Sequence, residues 1–166
     1  MSALTQAEAE RLISSEALYL DQRRWDDWLD LYAEDAVYWV PAWKNESETT
    51  SSPDSEISLI YYEGRSSLAD RIWRLKSGLS VASTPLRRTA HMVTNVLVEP
   101  GESDAAASAT AAFAVHHFDP KRRSQHVFFG RYEYGFRRDE RVWRIARKTT
   151  VLANDQIPTV ADFYLL

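Results

Sequence analysis

Cysteine is absent from this chain of 166 residues. That absence excludes disulfides, thiolate-held zinc, an iron–sulfur cluster carried by this chain and a thiol nucleophile. Glycine is scarce, at five, which leaves little room for a loop that cradles phosphate. No G-x-x-x-x-G-K, G-x-G-x-x-G or G-x-S-x-G motif occurs. A basic excess is also lacking. Twenty Lys and Arg face 24 Asp and Glu, a net charge of −4, which argues against a nucleic-acid partner. No apolar run approaches the roughly 18–20 residues of a membrane span. The N-terminus has no basic segment followed by an apolar one, so no secretory signal or membrane partner is expected. A soluble, cytoplasmic protein is the expectation.

What is present is ordinary in amount and rich in kind. Hydrophobic residues are 45% and charged residues 27%, the balance of a soluble globular protein. Residues 1–166 fit one domain of common size, long enough to bury a core without staples. Aromatics reach 12%, a large supply for a core or an interface.

Hydrophobic spacing divides the chain into helices followed by strands. Thr5 with Glu8 makes a capping box for a helix to about Leu20. Ala9, Leu12, Ile13, Ala17 and Leu20 share its apolar face. Glu16 falls on that face too, so it lies at a rim or is buried and needs a partner. Trp25, Trp28, Leu29 and Tyr32 form an aromatic stripe on a second helix over residues 24–32, read as core packing. Strands are predicted over 36–42 and 57–62, with a polar loop over 44–56 that is mobile at its Ser/Thr centre. A third helix is predicted over 67–77, with Ser67 and Asp70 as a second capping box and Gly78 as its stop. The second half reads as strands over 89–98, 105–118, 125–137 and 142–152. In the third of these Phe128, Tyr132, Tyr134 and Phe136 face one way and Arg131 and Glu133 the other. Helices segregated from a curved antiparallel sheet define an α+β cone.

Candidate chemistry is sparse. Of the four histidines, His116 and His117 are adjacent on a strand and point to opposite faces. No spaced ligand motif supports a metal, and none is expected. Asp21, at the end of the first helix, and His91, on a strand, make a carboxylate–imidazole pair. Such a pair suits general acid–base work, and equally a satisfied polar contact inside the cone. Lys121-Arg-Arg123 reads as a solvated turn. Two patches suit contact better than chemistry. Tyr62, Arg65, Arg71, Trp73 and Arg74 form one, because Trp and Arg are enriched at binding hot spots. The apolar C-terminus with Phe163 and Tyr164 forms the other, docked on its own domain or buried in a partner.

A series of segments then carries a resemblance. They are Glu16-Ala-Leu-Tyr-Leu-Asp21, Trp25-x-x-Trp-Leu-x-Leu-Tyr-Ala-x-Asp-Ala36, Trp39-Val-Pro-Ala-Trp43 and Glu56-Ile-Ser-Leu-Ile-Tyr61. Arg65-x-x-Leu-x-Asp-Arg-Ile-x-Arg74, Thr84-Pro85, Arg88-Thr-x-His91 and Asp162-Phe-Tyr164 follow. Over nearly its full length the chain resembles the small (beta) subunits of aromatic-ring-hydroxylating dioxygenases, most of all the branch acting on benzoate, toluate and anthranilate. The resemblance implies an α+β cone of the nuclear-transport-factor-2-like type, with N-terminal helices packed on a strongly curved, mostly antiparallel sheet. It implies three large (alpha) and three small subunits in an α3β3 hexamer, with contacts among the beta subunits forming a trimer. It places a Rieske 2Fe–2S cluster and a mononuclear Fe(II) on the large subunit, with electrons from NADH through a reductase, and gives the small subunit a structural role with no catalytic residue. Isomerases and dehydratases of similar fold carry Asp and His at positions that look like Asp21 and His91. One such dehydratase has Tyr beside its Asp where this chain has Leu20.

Overall fold

A computed structural model describes residues 3–79 and 84–166. Helix α1 spans Gln6–Asp21 and α2 spans Trp25–Asp30. Strands β1 (Tyr32–Pro41) and β2 (Ser58–Glu63) precede α3 (Arg65–Ser77). Strands β3 (Arg88–Pro100), β4 (Ala106–Asp119), β5 (Ser124–Asp139) and β6 (Val142–Leu152) complete the sheet, and a short 3-10 turn covers Phe163–Leu165.

The capping box of α1 forms as its sequence predicts. The Thr5 hydroxyl accepts from the Glu8 backbone and the Glu8 carboxylate accepts from the Thr5 N–H. This fixes the start of α1 and turns Ala9, Ile13, Glu16, Ala17 and Leu20 inward. Helix α3 departs from prediction. It begins at Arg65, with Gly64 at φ 79° before it. The Gly64 N–H is committed to the Ala36 carbonyl, so the chain leaves β2 and enters the helix at once. Ser67 therefore sits inside the first turn and its hydroxyl donates to the Glu63 carbonyl; the expected box with Asp70 does not form. Gly78, left-handed at φ 68°, ends the helix as predicted.

The second helix is shorter than its aromatic stripe implies. Tyr32 belongs to β1, where it pairs with Ile145. The polar loop is held at its centre. The Glu56 carboxylate accepts from the Ser51 and Ser52 backbones and pairs with Lys44.

The six strands form one sheet in the order β2-β1-β6-β5-β4-β3, antiparallel except for β1 against β6. Register shifts at Thr94/Leu97 on β3 and Gly135/Phe136 on β5 bend it. At Gly130 the backbones of β5 and β6 approach so closely that a Cβ would lie 2.0 Å from the Val151 carbonyl oxygen. The concave face carries Ala107, Ala109, Ala111, Phe113 and Val115 of β4 against Phe128, Tyr132, Tyr134 and Phe136 of β5, all buried. Small residues on one strand make room for rings on the next. Helices α1 and α2 close this face, with Trp28 fully buried between them and the sheet. The C-terminus docks on the chain's own core: Phe163 lies 4.8 Å from Trp28 and 5.9 Å from Trp25, ring centre to ring centre.

Candidate functional site

Two polar clusters occupy the concave face. The first centres on Glu16, whose place on the apolar stripe of α1 buries it. Its carboxylate accepts from Trp28 Nε1 and Tyr32 Oη, each at 2.9 Å, from Tyr134 Oη at 3.2 Å, and from Lys148 Nζ at 2.9 and 3.0 Å. Both members of the ion pair are almost completely buried. Burial alone would raise the Glu16 carboxyl, but the Lys148 ammonium and the ring donors carry it below its ordinary value. Lys148 also lies 4.1 Å from the centre of the Tyr132 ring, a favourable cation–π distance. Glu16 and Lys148 are both engaged, and the arrangement works as a polar rivet joining α1, α2, β1, β5 and β6.

The second cluster contains the predicted pair. Asp21, at the end of α1, accepts from His91 Nδ1 at 2.6 Å, from the His91 backbone at 2.9 Å and from the Thr89 hydroxyl at 2.8 Å. Burial opposes the charge on Asp21, and these donors outweigh it and lower the carboxyl. The contact with the Asp21 carboxylate places a proton on His91 Nδ1 and orients the ring. The His91 side chain is 1% exposed. His116 and His117 do point to opposite faces: His116 is exposed and His117 is buried. His117 faces His126 across the β4–β5 ladder, 5.5 Å between ring centres. Burial, then Arg87 and His126, push the His117 imidazole down to about 4. The sequence singled out Asp21 and His91 but not the inward pairing of His117 with His126.

The predicted contact residues are divided by the structure. Phe163 and Tyr164 are buried under the chain's own helices and are not at its surface. Arg65 pairs with Asp30 and Glu34, tying α3 to α2 and β1. Arg71 forms a two-pronged bond to Asp162, whose carboxylate also caps Phe163. Tyr62, Arg71 and Arg74 help line one surface hollow, and Arg71, Trp73, Arg74 and Leu79 line another. Trp73 is 62% exposed and Leu79 70%.

Among the described residues no three His, Asp or Glu converge as a metal site. With no cysteine in the sequence, the donors do not fit a Rieske cluster, which needs two thiolates beside its two imidazoles. Among the described residues no helix is long and apolar enough to cross a membrane.

Residues 15–159 match the family described as the ring hydroxylating beta subunit. The chain is 36% identical to the benzoate 1,2-dioxygenase subunit beta of Acinetobacter baylyi over 157 residues, covering 95% of this chain and 91% of that one. It is 37% identical to the toluate 1,2-dioxygenase subunit beta of Pseudomonas putida over 150 residues, covering 90% of each. The crystal structure of the beta subunit of the benzoate 1,2-dioxygenase from Burkholderia mallei superposes with a TM-score of 0.80 at 30% identity, covering 100% of both chains.

Proposed function

Because the chain belongs to the ring hydroxylating beta subunit family, we propose that it is the structural, non-catalytic small subunit of a multicomponent Rieske-type dioxygenase. Its whole length acts as one domain, in the cytoplasm. The partner is a large alpha subunit that dihydroxylates an aromatic carboxylate, benzoate- or anthranilate-like, with dioxygen and electrons drawn from NADH through a reductase. The 2Fe–2S cluster and the mononuclear Fe(II) belong to that large subunit. Three copies of each chain make the α3β3 assembly, with the beta subunits in mutual contact as a trimer.

The family match over most of the chain carries this reading. The interior chemistry agrees with it, since Glu16 and Lys148 are locked to each other and the His91 side chain is sealed from solvent. Trp73, with Arg74 beside it on α3, is the feature best suited to contact the large subunit.

The test replaces both Asp21 and His91 by Asn in the assembled complex. Turnover per intact complex is expected to stay within about twofold of the parent, while stability falls by about 1–3 kcal/mol from the lost buried bonds. A collapse of turnover in intact complexes would favour the other reading. That reading is a dehydratase or isomerase in its own right, with Asp21 and His91 as its acid–base pair, and its observable support is their 2.6 Å contact.

A further inference from the structure

The side of the sheet away from the helices is convex, and its two halves differ. On β1 and β6 the outward residues Trp39, Thr149 and Val151 are buried by the chain itself. On β3, β4 and β5 the outward side is bare: Met92 is 59% exposed, Leu97 60% and Phe129 47%. The ladder aligns them. Met92 pairs with Ala114, and Ala114 with Phe129, so one row across three strands holds a thioether, a methyl and a ring. Leu97 follows past the register shift of β3, opposite Thr110. Large apolar side chains gathered on one open face mark a contact surface.

Charge is sorted along the same face. At one end stands Arg88, and the turn from β4 to β5 adds Lys121 and Arg123, all exposed. At the other end stands Glu99, and the turn from β3 to β4 adds Glu102 and Asp104, also exposed. None of these six has an ion-pair partner among the described residues. The opposing charges nearby are spent: Asp119 is turned to Arg87 and Arg122, and Arg137 to Asp35. Between the ends, Arg131 and Glu133 neutralise each other at 2.9 Å. Arg88 and Glu99 stand about 35 Å apart along β3 at roughly 3.3 Å per residue, several Debye lengths at physiological salt. The two ends therefore do not neutralise each other within one copy. The basic end also has room to receive a side chain. A hollow of about 360 Å³ is walled by Arg88, Phe118 and Gln125 on one row and by Ala90, His116 and Val127 on the next. Arg88 and His116 offer it N–H donors for a carboxylate.

We propose that this face docks a second copy of the chain, basic end to acidic end, with Glu99 of one copy entering the Arg88 hollow of the next and the Met92, Leu97 and Phe129 side chains buried between them. The apolar row supplies the burial, and the sorted charges set direction and register. Two convex faces cannot lie flat on each other over their full length. Each copy therefore turns its basic half to one neighbour and its acidic half to another, and head-to-tail contacts of this kind close as a ring. The contact among beta subunits in the function proposed above thereby gains a face and a polarity. The number three rests on that reading.

Sedimentation equilibrium of the full-length chain, without a large subunit, tests this. The wild type is expected to self-associate. Arg88→Glu and Glu99→Arg are each expected to weaken self-association at least about tenfold, because each sets like charges against one another. Both substitutions in one chain restore opposite charges at every contact, and association is expected to return to within about threefold of the wild type. Phe129→Asp, in the apolar row, is expected to leave the chain monomeric. All these side chains lie outside the core, and melting curves verify that each variant is folded. A wild type that stays monomeric at its highest soluble concentration overturns the proposal. So do single charge variants that associate like the wild type, or a double variant that does not recover. Substitutions that lower only the retention of a large subunit overturn it too, since that subunit would then occupy the face. Failure of any large subunit to co-purify would instead contradict the proposed function and leave the charge-swap result standing.

Discussion

The two polar clusters on the concave face sit on the same sheet and differ in one property. Around Glu16 each donor and acceptor meets another, and the cluster is closed. Around His91, His117 and His126 most ring nitrogens are buried and meet no partner among the described residues. A closed network rigidifies a core, whereas unpaired buried polar atoms cost stability.

The comparison breaks most sharply at Lys148. Lys148→Met leaves the Glu16 carboxylate buried without its counter-charge, a loss of about 3–5 kcal/mol in urea denaturation. Removing both charges, as Glu16→Gln with Lys148→Met, is expected to restore most of that loss. Trp28 and Tyr32 then still donate to the amide oxygen, and the amide N–H meets the Tyr134 hydroxyl oxygen as a donor. If the double variant is as unstable as the single one, the cluster is not a closed pair.

The open cluster responds instead to pH. In the unfolded chain the His117 imidazole titrates near 6.5, whereas in the folded site burial, then Arg87 and His126, hold it at about 4. Between these values the unfolded state binds more protons, so stability falls as the pH falls, by up to about 3 kcal/mol. Asp119 works the other way and limits the drop. Denaturation from pH 7.5 to 4.5 should show this slope in the parent and a shallower one in His117→Phe. Identical slopes would remove His117 from the account.

The smallest expected effect on stability lies outside both clusters. Trp73 is largely exposed, so Trp73→Ala should change the melting of the free chain by no more than about 0.5 kcal/mol. Its effect should fall on association with the large subunit. Co-purification of the two chains as salt is raised measures it, and unchanged retention would move the contact elsewhere.

Much of this was legible before the structure. The capping box at Thr5, the stop at Gly78 and the alternation of β5 all follow local rules, and the structure shows each of them. Asp21 and His91 also meet as their residue types suggested. Lys148 was hidden because β5 and β6 slip register between Gly135 and Phe136. Ile145 and Lys148, three residues apart, both become buried, and strict alternation would have sent Lys148 to solvent. Glu16 announced its need for a partner, but its spacing could not name one 132 residues away. Arg71 read as a contact residue because Asp162, its mate, lies 91 residues further along the chain.

The central claim is that this chain assembles with a catalytic partner. Gentle isolation from native cells, followed by native mass measurement and a visible spectrum, tests it directly. The account predicts a brown complex containing this chain and a larger iron–sulfur chain in equal copies. A colourless homo-oligomer that transforms a small molecule without iron or NADH would contradict it.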